Sequence, residues 1–304
     1  MIVALLACAP EERTAEACGS CHAEQYDAWR GSAHARSGTT PAFLASLPEV
    51  RRAWGPTAEA RCVACHQPGY GGDEGIGCAA CHLAVGNRTE ADGALVVDES
   101  APIGVPGPVS APHATSVRPF LKSPALCATC HEVTGPQLLV ERTGTEYAES
   151  GSTQTCADCH LPDGDHAIPG FEGEDPDVAL LARVLDLRIV GDRVEVENVG
   201  AAHRVPTGAA FLRDLVVTAT VDGETRELRL SPIPVEDGVP VALPTMADAI
   251  EGEGLAPGEI RTLPLGDGVA VDAALVFRPF REDAAEALGL DAPEEVIVAT
   301  ASRR

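Results

Sequence analysis

The chain has 304 residues, with 22 basic side chains against 46 acidic ones and a formal net charge of -24. That balance repels phosphate backbones, which excludes a nucleic-acid partner, and it favours partners that present a basic docking face. The length argues for two domains, and an aromatic content of 4% is too low to fill both interiors with side chains alone.

Residues 1–8, Met-Ile-Val-Ala-Leu-Leu-Ala-Cys, are apolar and end on Cys8. The pattern is that of a lipoprotein-type signal in which Cys8 is acylated, although it is short and has no basic n-region. An ordinary signal peptide with an incidental cysteine is the other reading. Both predict export, to the periplasm or to the outer membrane and cell surface. No stretch approaches the ~18 apolar residues of a membrane span, so a lipid on Cys8 is the expected membrane attachment.

From about residue 9 to 172 the sequence is rich in Cys, His, Gly and Pro and poor in β-branched runs. The expectation is short helices, each starting around a Cys-x-x-Cys-His unit, with long connections between them. One such helix is predicted from Cys18 through Glu24, Tyr26 and Trp29, with a stop at Gly31-Ser32. The acidic segment 170–177 reads as a linker. From 178 to 304 the pattern alternates: Val184, Leu185, Leu187, Ile189 and Val190 precede a Gly191-Asp192 turn, and Val194 and Val196 then alternate with Glu195 and Glu197. Further strand-like runs cover 215–221, 225–230, 260–265, 273–277 and 296–301. The predicted fold class is α+β, a short-helix domain followed by an antiparallel β-sandwich of about seven strands.

Ten of the eleven cysteines fall into five Cys-x-x-Cys-His units. These are Cys18-Cys21-His22, Cys62-Cys65-His66, Cys78-Cys81-His82, Cys127-Cys130-His131 and Cys156-Cys159-His160. Two thiols three residues apart can add to the two vinyl groups of a haem, and the following imidazole then reaches the iron. Five covalent c-type haems are therefore expected, with His22, His66, His82, His131 and His160 as proximal ligands. A zinc ribbon from 62–65 and 78–81 is the competing reading, but zinc gives no reason for a histidine after each pair. Thioredoxin-like chemistry would need a βαβ context that no pair has.

Nine histidines leave four beyond the motifs: His34, His113, His166 and His203. They suit four bis-His irons and one iron without a distal His. For that fifth iron three occupants stay open: water or an empty position, Met246, and Lys122. Arg36, Arg61, Arg118 and Arg204 are candidate donors to a bound anion, and each has the plainer reading of a surface charge or a propionate partner. The turn His203-Arg204-Val205-Pro206-Thr207-Gly208 can present His203 at a loop tip, because Pro206 fixes φ and Gly208 permits a sharp reversal. Ligation by His203 would tie the β-domain to the haem domain.

The flanks of the units are distinctive. Cys18–His22 leads through AEQYDAWRGSAH to His34, CAACHL follows an Ile-Gly step, and PALCATCHEV follows Ala111-Pro112-His113. TCADCHLPDGDHAIPG spans 155–170 and ENVGAAHRVPTG spans 197–208. Over nearly the whole chain this set resembles the multihaem cytochrome c family related to the tetrahaem electron carriers of hydroxylamine oxidation. The resemblance implies electron transfer through closely packed, mostly bis-His haems, with His34, His113, His166 and His203 at distal-ligand positions and redox proteins as partners. The five units and the appended β-domain depart from the family pattern. Two functions follow as expectations: an electron carrier, with units 62–66 and 78–82 near enough to hold two porphyrins almost in contact, or an oxidoreductase of a small nitrogen or sulfur compound at the unsaturated iron.

Overall fold

The computed structural model describes residues 13–69, 74–87, 95–134, 138, 140–170, 178–266, 271–291 and 294–303. Cys8 with the expected signal, and residues 171–177 of the expected linker, lie outside them. The chain forms two compact units. One holds the described residues up to Val133 together with Thr153–Gly170; the other holds Thr134–Ser152 and the described residues after Gly170. The segment between the fourth and fifth Cys-x-x-Cys-His units thus packs with the β-rich unit.

The first unit is built from short capped helices. Thr14 caps Ala15–Gly19, and its side chain accepts the Ala17 N–H. A separate helix, Ala23–Arg30, ends at Gly31, and Ser32 then caps Ala33–Arg36. The continuous helix expected from Cys18 to Trp29 is therefore two helices. The chain breaks where His22, the N-cap of the second helix, takes φ -110° and ψ 53°, a non-helical conformation. Pro41–Trp54 and Pro56–His66 form a helical hairpin about Gly55, whose φ of 87° suits glycine. Cys78–His82 and Cys156–His160 do begin at their first cysteines, the latter under a Thr155/Asp158 capping box. By contrast, the 62–66 motif closes a helix, and Pro124–Ala128 stops inside its motif. A pair of parallel strands, Ile103–Val105 and Thr115–Val117, lies after the third motif.

What fills this unit is unusual. Its fully enclosed apolar residues, among those described, are Ala15, Val50, Ala58, Ala79, Ala80, Leu83 and Ala84. Alanine contributes little area, so side chains alone give this unit no substantial core.

The second unit has an ordinary core. Strands Glu224–Arg229, Asp214–Val221, Val271–Arg278 and Val296–Arg303 make one antiparallel sheet in that spatial order. Ile260–Pro264, Arg193–Asn198 and Leu185–Val190 make another. Alternating inward residues of both sheets, including Leu187, Val196, Leu215, Val217, Val271, Leu275 and Phe277, belong to one buried cluster. Fully burying such side chains contributes about 1.5–3 kcal/mol each. The α+β class is as the sequence predicts, and all seven strand-like runs form strands. Val184 instead closes the short helix Ala179–Val184. A third small sheet, Ile233–Glu236 with Val239–Pro240 and Ala249–Glu251, had no clear alternation to announce it.

Candidate functional site

The five motif histidines and three of the four others belong to the first unit, and the structure brings most of them together in pairs. The ring centres of His22 and His113 are 6.2 Å apart, those of His34 and His131 are 6.4 Å apart, and those of His82 and His166 are 6.2 Å apart. Each pair joins one motif histidine to one outside the motifs. Two metal–imidazole bonds of about 2 Å, with roughly 1.1 Å from each ring nitrogen to its ring centre, would place imidazoles on opposite sides of one metal about 6.2 Å apart. The three separations fit an iron between each pair.

Tautomers agree with that use. The Nδ1 atoms of His66, His82 and His166 lie 3.0, 2.8 and 2.8 Å from the carbonyl oxygens of Ser37, Gly104 and Gly164. A carbonyl only accepts, so Nδ1 carries the hydrogen and Nε2 keeps its lone pair for a metal. His34 is held neutral: burial, and then the charges of His131, His160 and His66, push its pKa down to about 4. Burial likewise lowers His82.

Local structure explains these placements. Trp29 Nε1 donates to the Ile76 carbonyl at 2.9 Å, and Ile76 N–H donates to the His34 carbonyl at 2.8 Å. The Ile-Gly step before the third motif is thereby threaded past His34. A Cβ at Gly77 would stand 2.0 Å from Glu74 Oε1, so a side chain there would displace the Glu74 carboxylate. Glu74 in turn accepts the Ala15 N–H on both oxygens, at 3.0 and 2.9 Å. Around the third motif, Arg118 donates to the carbonyls of His82, Ala84 and Pro102. Its guanidinium thus clamps the backbone beside His82 with three of its five N–H donors.

The cysteines also meet across motifs. The Cys18 side chain lies within interaction range of Cys78, and that of Cys127 within range of Cys156. That contact holds Cys18 and Cys156 down to about 7 and pushes their partners up. Cys81, pushed up to about 11 by burial, lies within electrostatic reach of Cys127. The thiol contacts thus join motif 18–22 to 78–82 and motif 127–131 to 156–160, whereas the sequence spacing pointed to 62–66 beside 78–82.

His66 is placed differently from His22, His82 and His131. Its ring stacks on Phe43 at 4.2 Å with an interplanar angle of 9°. Phe43 and Ser37 escaped the sequence analysis, because neither carries a metal-binding signature. The same holds for Arg13, whose Nε and Nη1 are buried with no hydrogen-bond partner among the described residues. Arg13 lies close enough to Cys18 for its charge to favour that thiolate.

His203, in the second unit, sits in a tightly held turn. Its Nδ1 is 2.7 Å from the Arg204 carbonyl, and the buried Asn198 amide donates to the His203 carbonyl at 3.0 Å. The Thr143–Ser150 helix fixes the rest of the turn: Glu146 accepts from Arg204 N–H at 3.1 Å and from Thr207 Oγ1 at 2.7 Å. Gly208 takes φ 69°, the reversal expected of it. Arg204 is engaged by Glu253 and the Gly254 carbonyl, and Arg36 by the Gly31 carbonyl. Met246 is half-exposed on a short Pro244–Met246 turn of the second unit, and Lys122 ends an exposed turn of the first.

Three features of the first unit suit a haem set: the 6.2–6.4 Å imidazole pairs, an alanine-lined interior, and a buried guanidinium awaiting an acceptor. Among the described residues no group of three or more His, Cys, Asp or Glu side chains converges to hold a bare metal ion, and no helix is long and apolar enough to cross a membrane.

Residues 17–83, which contain three of the five motifs, match the family described as Cytochrome c554 and c-prime. The structure is similar to that of a penta-heme cytochrome c552 from Thermochromatium tepidum, with a TM-score of 0.75 at 21% identity over 97% of this chain and 100% of that one. At that identity the likeness establishes the fold. No curated protein matches.

Proposed function

We propose that this chain is an exported c-type cytochrome that carries five covalent haems and transfers electrons through mostly bis-His irons. The observation that carries the reading is the set of three imidazole pairs, His22–His113, His34–His131 and His82–His166, each at the separation that trans ligands of one iron require. The penta-heme fold neighbour and the family match over 17–83 support it. Bound haem supplies a one-electron centre, and bis-imidazole ligation gives it a lower potential than a Met ligand would.

The polypeptide's part is spacing. Thiol contacts between Cys18 and Cys78 and between Cys127 and Cys156 bring two pairs of attachment points together, and Cys81 near Cys127 links the pairs. His34 senses the charge of His66 as well as that of His131, so the 62–66 motif joins the same cluster. Arg13 would answer a haem propionate with its buried donors. His203 is proposed as a further axial ligand on its sequence pattern and its Nδ1 bond. Redox proteins with a basic face are the proposed partners, given the charge of -24, and Cys8 the proposed lipid attachment.

A second reading rests on His66. Its ring neighbour is Phe43, whereas His22, His82 and His131 each face a second imidazole, so the Cys62–Cys65 haem is the candidate for an iron lacking a distal His. Such an iron would let the chain act as an oxidoreductase on a small nitrogen or sulfur compound.

Protein matured in a host competent for cytochrome assembly decides between these. We expect a mass excess of five haems and ferric low-spin signals that dominate the electron paramagnetic resonance spectrum. Colourless protein with the mass of the bare chain would end the haem reading. A ferric sample whose spectrum ignores cyanide, nitrite and hydroxylamine would end the catalytic one.

A further inference from the structure

Three contacts converge on the His66 ring and its backbone. The Phe43 ring lies on the imidazole at 4.2 Å and 9°, a near-parallel stack slightly closer than the roughly 4.5–7 Å of an ordinary aromatic pair. The Ser37 carbonyl accepts from Nδ1 at 3.0 Å, and the Ser37 hydroxyl lies 2.6 Å from the His66 carbonyl. Gly38 presses on the next residue: a Cβ there would stand 2.9 Å from Gln67 Cβ. The hairpin of Pro41–Trp54 and Pro56–His66 explains the stack, because it returns the end of the second helix to the start of the first, where Phe43 follows the Thr40 cap.

We propose that Phe43 and Ser37 are positioning residues that lock the orientation of the His66 imidazole, and so set the axial field of the iron it holds. The proposal rests on the haem reading above. In a bis-His site, two imidazoles grip the iron from opposite faces. Neither imidazole touches the other, so rotation of the proximal ring about its bond to a metal would be restrained by the protein alone, with or without a second ligand. A stacked phenyl blocks that rotation, while the carbonyl fixes the tautomer. The acceptor is a neutral carbonyl and not a carboxylate, so it leaves His66 a neutral imidazole donor. The chain has only six phenylalanines, and one is committed to this contact.

The test compares the wild-type holoprotein with Phe43→Ala, Phe43→Leu and Phe43→Tyr. Signals of the 62–66 haem are assigned by subtracting the spectrum of Cys62→Ala/Cys65→Ala. The readouts are the iron–histidine stretching band of the reduced protein by resonance Raman and the g-values of the ferric haem, which report ring orientation in either spin state. Phe43→Ala and Phe43→Leu should shift and broaden these signals for the 62–66 haem alone, and Phe43→Tyr, which keeps the stack, should restore them. Unchanged signals in Phe43→Leu, with five haems still bound, would overturn the proposal. A low-spin wild-type signal at this haem would defeat the vacant-iron reading, yet its g-values would still judge the clamp. Loss of all haem would defeat the parent reading and this one together.

Discussion

Ser37 grips His66 at two points, accepting the ring Nδ1 hydrogen at 3.0 Å through its carbonyl and placing its hydroxyl 2.6 Å from the His66 carbonyl. The same hydroxyl lies 2.9 Å from the His34 carbonyl. One proton is therefore shared between two backbone acceptors, and a single residue connects the 62–66 motif to the histidine that faces His131. Ser37→Ala removes that proton and leaves the ring's own acceptor in place. The expected result is an unchanged haem count, with small shifts confined to the 62–66 haem and the His34–His131 haem. Difference spectra of the ferric and ferrous protein check it, and shifts at the His82 haem instead would contradict the connectivity.

Removing the second attachment site isolates its contribution. Cys62→Ala/Cys65→Ala should lower the mass by one haem and abolish the high-spin ferric component, with the low-spin component intact. A high-spin signal that survives the substitution would place the unsaturated iron at another motif.

The His82–His166 pair makes the converse prediction. His166→Ala deletes one imidazole of a 6.2 Å pair and leaves His82, whose Nδ1 stays on the Gly104 carbonyl. One low-spin haem should become high-spin, and added imidazole should restore the low-spin spectrum by filling the vacated position. Mass spectrometry should still find five haems, because the thioether bonds are untouched.

The motifs were legible because covalent chemistry demands them: no fold can supply two thiols and an imidazole at that spacing by accident five times over. His34, His113 and His166 were legible by arithmetic, as imidazoles without another role. Their assignment was not, because which ring faces which is fixed by contacts such as Trp29 to Ile76, far apart in sequence. The strands were plain where alternation is strict, as in Asp214–Val221, and hidden where Pro234 and Pro240 interrupt it. Phe43, Ser37 and Arg13 act through packing and burial, which leave no local mark. Arg118 stood in the sequence as a candidate anion donor, a surface charge or a propionate partner, and its contacts with three carbonyls around His82 are a role that only folding reveals.

Arg13 offers a test of the interior. Two of its guanidinium nitrogens are buried without an acceptor among the described residues, an arrangement that costs about 1–3 kcal/mol per group in a protein with nothing to answer it. A propionate would answer it. Arg13→Gln should then lower the reduction potential of one haem, because a nearby positive charge favours the reduced iron. The shift should be read by spectroelectrochemical titration, with the other haems serving as internal reference. A titration curve superimposable on the wild type would leave Arg13 without a carboxylate partner.

The second unit should lose stability independently of haem spectra within the first. Asp214 is buried, and its two oxygens pair with Arg229 and Arg278 across neighbouring strands of one sheet. Asp214→Ala leaves both guanidinium groups facing a gap, but they are partly exposed, at 42% and 32% of the side chain, so water recovers some of the loss. A cost of about 1–3 kcal/mol follows. Leu275 is fully enclosed in the shared core, and Leu275→Ala there should cost about 2–5 kcal/mol through lost burial and the cavity it leaves. Calorimetry should order the two variants that way, with a fall in the Tm of the β-rich unit of roughly 2–4 °C per kcal/mol. The imidazole pairs of the first unit use none of these contacts, so the ferric spectrum at 25 °C should match the wild type. A spectral change in Leu275→Ala below its unfolding transition would mean that the core of the β-rich unit also governs the ligand set.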